Sequence, residues 1–93
     1  MDEKTFKDRT KKFALRVITC VEALPSTRAA DVIGKQLLRS GTSVGANYRA
    51  ACRAKSKADM IHKLGTVEEE SDESVYWMEL LTEAGVVSKT KLH

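Results

Sequence analysis

One uninterrupted pattern in the middle of the chain limits the fold more than any other feature. From residue 30 to residue 54, small and apolar residues recur at alternating spacings of three and four, which places them on one face of a helix. "RSGTSVGANYRAACRA" resembles a loop, but a loop would reset this spacing, so one helix is predicted over residues 27–54. The stripe is Ala30, Ile33, Leu37, Ser40, Val44, Asn47, Ala51 and Ala54, and beside it lie Gly34, Leu38, Gly41, Gly45, Tyr48 and Cys52.

The N-terminal part of the chain predicts a first helix over residues 5–23. Its apolar residues also repeat at helical spacing, and Thr5 with Asp8 has the pattern of a capping box. The helix is expected to end at Leu24-Pro25, because a residue before proline is driven out of the α region. Ser26 is the expected cap of the next helix.

The C-terminal part predicts a third helix over residues 57–84. Ser56 and Asp59 have the spacing of another capping box, and Gly85 stands where glycine commonly ends a helix. Only eight residues follow Gly85, too few for a further long helix. The chain, residues 1–93, is therefore predicted to be one domain, an all-α antiparallel up-down bundle of three long helices. An apolar groove left open by such a bundle predicts self-association.

Glycines on the central helix allow two interpretations. Gly34, Gly41 and Gly45 share one side, and each costs about 0.8–1 kcal/mol relative to alanine in a helix. Close packing against a neighbouring helix would offset that cost. The alternative is a turn at Gly41, which would make residues 27–55 a helix-turn-helix of a DNA-binding regulator. The unbroken stripe favours close packing.

Polar residues within the apolar stripe predict a buried network, since buried polar groups need partners. Glu70 and Glu73 of the third helix are expected to face Arg39 or Arg53. The network would fix the register of the helices; a functional pocket is the alternative interpretation. Its expected members are Arg39, Ser40, Ser43, Asn47, Glu70 and Glu73.

Charge is divided between neighbouring segments of the chain. Residues 24–57 carry seven basic residues and one acidic residue, whereas residues 58–84 carry one basic and eight acidic residues. Either the two segments pack together and neutralise each other, or a basic strip stays exposed for nucleic acid. Basic residues of the first helix are expected to join this strip. The residues expected to contact phosphates are Lys11, Lys12, Arg16, Arg49, Arg53, Lys55 and Lys57.

Several classes of site are not expected. The only cysteines, Cys20 and Cys52, and the two histidines lack metal-site spacing, so reduced thiols and no metal or other cofactor are predicted. The charged N-terminus does not resemble a signal peptide, and no apolar run approaches the roughly 20 residues of a membrane span, which predicts a cytoplasmic protein. No nucleophile or histidine pair accompanies the carboxylates. The protein is predicted to be no enzyme and to have no small-molecule substrate.

Long ordered motifs connect these residues to a known family. Residues 32–85 contain "QLLRS-TS-GAN", then "SK-D-I-KL" and "E--YW-ELL", and the first helix reads "FALRVITCVEALP". The chain resembles the bacterial four-helix bundle proteins associated with 23S rRNA intervening sequences, which are similar to accessory proteins of diversity-generating retroelements. The resemblance implies a homo-oligomer, a ring-like pentamer, associated with structured RNA. It also implies a fourth helix after Gly85, which is expected to be missing or truncated here.

Overall fold

The computed structural model describes residues 2–87, which form three α-helices. The helices are α1 (Glu3–Glu22), α2 (Arg28–Cys52) and α3 (Lys57–Glu83), and no strand occurs among the described residues. The predicted all-α class with three long helices is confirmed. The expected absence of a fourth helix concerns the segment after Gly85, and residues 88–93 of that segment lie outside the described part of the chain.

The caps of the first two helices differ from the predicted ones. The Asp2 carboxylate accepts a hydrogen bond of 2.7 Å from the Thr5 backbone N–H, so the predicted Thr5–Asp8 capping box is wrong. Aspartate is a preferred cap, and its charge suits the positive end of the helix dipole, which lets α1 start earlier. Likewise Thr27, and not Ser26, caps α2 by accepting a hydrogen bond from a backbone N–H of the first turn.

Both ends of α3 have the structure that their residues predict. The Ser56 hydroxyl accepts a 3.0 Å hydrogen bond from the Asp59 backbone N–H at the start. At the other end Gly85 has a φ of +75°, a left-handed conformation that glycine adopts without steric cost. The Val86 N–H then donates to the Leu81 carbonyl at 2.9 Å, which ends the helix in a Schellman motif.

The central helix of the fold is α2, which packs against both α1 and α3. It is helical without a break from Arg28 to Cys52. The alternative with a turn at Gly41 is therefore wrong, and residues 27–55 do not form a helix-turn-helix. The core forms where the three helices meet, around Val17, Leu37 and Leu81.

The glycine side of α2 lies against α1. A Cβ added at Gly41 would lie 2.9 Å from both Cγ atoms of Val17, closer than side-chain carbons pack. At Gly45 the added Cβ would lie 3.1 Å from the Thr10 hydroxyl oxygen. The backbones of the two helices can approach this closely only because these positions carry no side chain. Gly34 is likewise buried on this side of α2.

Candidate functional site

A polar contact joins the middle of α2 to α3. The Arg39 guanidinium lies 3.2 Å from the Glu70 carboxylate and also pairs with Glu73. Deeper between the helices the Ser74 hydroxyl donates to the Ser40 hydroxyl at 2.9 Å, and neither side chain is exposed to solvent. The contact occupies both carboxylates with one cation, which suits a structural role that fixes the register of the two helices.

Two residues expected in this network take no part in its contacts between helices. The Ser43 hydroxyl donates to the backbone carbonyl of Arg39 in its own helix, at 2.6 Å. Asn47 is half-buried, and no hydrogen bond joins it to the other expected members. Trp77, which the prediction omitted, adds a contact within α3, because its indole N–H donates to the Glu73 carboxylate at 3.1 Å. Its spacing of four from Glu73 is the only signal in the sequence.

Two of the residues predicted to contact nucleic acid line the same cleft. Lys11 and Arg49 line a cleft of about 320 Å³ between α1 and α2, together with Lys7. No carboxylate side chain is among the residues that line this cleft. The remaining residues lie in other places: Lys12 on the exposed surface of α1, Arg16 beside a separate apolar groove, and Arg53, Lys55 and Lys57 exposed at the α2–α3 turn.

Large apolar side chains remain exposed on the outside of the bundle. At the start of α3, Met60, Ile61 and Leu64 are 39 %, 59 % and 39 % exposed. On α1, Leu15 is 54 % exposed and borders a groove of about 400 Å³ that Val87 also lines. Further exposed apolar residues are Ile18, Val32, Val75 and Tyr76. These exposed apolar side chains lie on all three helices and have no covering element within residues 2–87.

The remaining candidates for chemistry lie apart from one another. Cys20 and Cys52 are free thiols on α1 and α2, and burial raises the pKa of the Cys20 thiol. Among the described residues, no three His, Cys, Asp or Glu side chains come together as a metal-binding group. In the same part of the chain, each helix carries too many charges or too few apolar residues to cross a membrane.

These features define a small helical bundle with a polar contact between α2 and α3, a basic cleft and exposed apolar side chains. The chain belongs to the family of 23S rRNA-intervening sequence proteins, whose model matches residues 3–93. The family predicted from the motifs is thereby confirmed. Its fold is similar to the crystal structure of a protein with unknown function from the S23 ribosomal protein family of Bacteroides thetaiotaomicron VPI-5482. The two chains are 40 % identical with a TM-score of 0.85, over 92 % of this chain and 80 % of the other. Comparison with curated proteins gives no match.

Proposed function

We propose that this protein is a non-enzymatic interaction protein that associates with further copies of itself and with RNA in the cytoplasm. The observation that carries the proposal is the exposed apolar cluster of Met60, Ile61 and Leu64 on α3. Burying apolar surface stabilises a complex by about 25 cal/mol per Å², and contiguous apolar patches on soluble proteins commonly mark interaction sites. Neither the family nor the similar structure is described by a reaction.

Charge makes a second copy of the chain a suitable partner for this surface. α1 carries six basic and three acidic residues, whereas α3 carries two basic and eight acidic residues. Several acids on α3, including Glu68 and Asp72, are exposed near the apolar cluster, and Lys11 and Lys12 are exposed on α1. Two copies can therefore bring surfaces of opposite charge together around apolar contacts, and such complementarity aligns partners.

Light scattering after size-exclusion chromatography tests the self-association. The wild-type mass is expected to be a multiple of 10.3 kDa, and a fivefold multiple would agree with the pentamer implied by the family resemblance. Leu64→Lys places a charge in the apolar cluster and is expected to lower the mass. Val32→Lys, at an equally apolar exposed position on α2, is the control and should keep the wild-type mass. A monomeric wild-type protein would refute the proposal.

The association with RNA is supported by the exposed basic residues of α1 and α2 and by membership in a family named for 23S rRNA intervening sequences. Phosphate contacts by lysine and arginine give binding that weakens with salt and tolerates changes of sequence. Titration of a labelled structured RNA with the protein at several salt concentrations tests this part of the function.

A further inference from the structure

We propose that the cleft between α1 and α2 binds the phosphodiester backbone of nucleic acid, with Lys7, Lys11 and Arg49 contacting successive phosphates. The inference rests on the RNA association proposed above and assigns it a site. Four residues from each helix line this cleft: Lys7, Thr10, Lys11 and Ala14 from α1, and Thr42, Gly45, Ala46 and Arg49 from α2.

The floor of the cleft is built from small residues. Gly45 lies so close to α1 that an added Cβ would be 3.4 Å from the Cβ of Thr10. Ala14 and Ala46 continue the floor on the two helices. Gly45 lets α1 approach α2 at the base of the cleft. The short side chains of Ala14 and Ala46 leave room above it, so that a polymer backbone can approach both helices beneath the long basic side chains.

The cations converge on this cleft from two different helices. Lys7 and Lys11 are one helical turn apart, about 6 Å along α1, and Arg49 faces them from α2. Among residues 2–87 neither Lys11 nor Arg49 forms an ion pair with a carboxylate. Lys7 pairs with Glu3 at 2.9 Å, but both side chains are partly exposed. Such surface pairs are weak, and a phosphate can replace the Glu3 carboxylate.

The polar groups on the floor predict binding without sequence preference. The Thr10 hydroxyl donates to the Lys7 carbonyl at 3.1 Å, and the Thr42 hydroxyl donates to the Leu38 carbonyl at 2.7 Å. Both hydroxyl protons are therefore used within their own helices. No aromatic side chain lines the cleft on which a base might stack. What the cleft offers a ligand is positive charge, which recognises the backbone and not the bases.

The experiment compares charge-neutralising variants of equal net charge. Binding of a labelled RNA hairpin, and of a DNA duplex of the same sequence, is measured by fluorescence anisotropy over a series of salt concentrations. K11Q/R49Q removes one lysine and one arginine from the cleft. R28Q/K35Q removes the same two residue types from exposed positions at the other end of α2 and is the matched control. K11R/R49K preserves both charges.

For the wild type, log Kd should rise linearly with log salt concentration. K11Q/R49Q should weaken binding at low salt by tenfold or more and lower the salt slope by roughly 1–2, because each phosphate contact contributes close to one unit. R28Q/K35Q and K11R/R49K should keep the wild-type slope. Circular dichroism and light scattering on each variant show that fold and assembly are retained.

Each other outcome is decisive. If R28Q/K35Q lost as much RNA affinity as K11Q/R49Q, the effect would be one of net charge in general. If K55Q/K57Q lost more affinity than K11Q/R49Q, the site would lie at the α2–α3 turn. Either result overturns the cleft assignment, while the RNA association stands. Tighter binding of the DNA duplex than of the RNA hairpin would overturn RNA as the source of the phosphates. If the wild type binds no RNA at low salt, the RNA association itself is refuted.

Discussion

Replacing Gly41 by alanine tests the close packing of α1 on α2. The new Cβ would lie 2.9 Å from both Cγ atoms of Val17 and 3.2 Å from its Cβ. Val17 is β-branched and only 4 % exposed, and rotation about its χ1 angle brings one methyl in place of another. The clash is therefore relieved only if α1 moves away from α2, which loosens the contacts on either side.

Two opposing terms set the size of the effect. Alanine is favoured over glycine in a helix by about 1 kcal/mol. Overpacking a well-packed core typically costs about 1–3 kcal/mol, and contact with two methyl groups of a stiff, buried side chain places Gly41→Ala toward the upper end. The expected net loss is about 1–2 kcal/mol, equivalent to a decrease in Tm of about 5–15 °C for a domain of this size.

Two other glycines give matched controls for the same substitution. A Cβ at Gly65 in α3 would meet no atom within 4 Å, so Gly65→Ala should raise stability by up to about 1 kcal/mol. A Cβ at Gly34 would lie 2.9 Å from Cδ1 of Leu24, the movable end of a flexible side chain. The stability of Gly34→Ala should therefore lie between those of Gly41→Ala and Gly65→Ala, close to that of the wild type.

Urea unfolding followed by circular dichroism at 222 nm measures all four proteins. They must be compared at one protein concentration, because self-association makes the apparent stability concentration-dependent. Equal m-values are needed before midpoints are read as free energies of unfolding. If Gly41→Ala were as stable as Gly65→Ala, α1 would be free to move outward without cost, and the close packing of these helices would contribute nothing to the fold.

Two further predictions concern charges. Arg39→Met keeps the length of the side chain but removes the cation between Glu70 and Glu73. We expect the free energy of unfolding in urea to fall by about 1 kcal/mol, and by less at high salt. A decrease that does not depend on salt would contradict an electrostatic cause. The Lys63 ammonium, by its hydrogen bond, lowers the pKa of the Asp59 carboxyl below its ordinary value of 3.8. A lowered pKa means that this stabilisation is complete above pH 3.8 and disappears as the pH falls through the folded-state pKa. The stability difference between wild type and Asp59→Asn should therefore narrow in acid, and a constant difference would refute the pairing.

The fold followed from features that act locally along the chain. Helical spacing through Ser40, Val44 and Asn47 was enough to predict a continuous α2, because a turn changes the phase of such a pattern. The two wrong caps have the same origin. Asp2 and Thr27 each have a neighbouring residue that could also cap the helix. Which residue becomes the cap depends on how far tertiary contacts extend the helix, and the local sequence pattern does not contain that information.

The candidate site was harder to predict, since it depends on distances between helices. The stripe on α2 predicts which residues face a neighbouring helix. The partner of each residue depends on the axial position of one helix relative to the other, which the stripe does not determine. Asn47 and Ser40 share the same stripe, yet only Ser40 meets a hydroxyl on α3. The basic cleft was likewise hidden, because Lys11 and Arg49 are far apart in sequence and only the approach of α1 at Gly45 brings them together.

The division of charge along the chain gives α2 two different electrostatic environments. Toward α3, Arg39 neutralises Glu70 and Glu73, which is the packing of opposite charges expected between these segments. Toward α1 no acidic residue lines the cleft. Of its three cations, Lys7 pairs with Glu3, whereas Lys11 and Arg49 form no ion pair with a carboxylate within residues 2–87. The side of α2 that carries the glycines packs against the basic helix α1, and the side that carries the serine packs against the acidic helix α3. Arg39→Met should consequently change stability with little effect on nucleic-acid binding, whereas K11Q/R49Q should do the reverse.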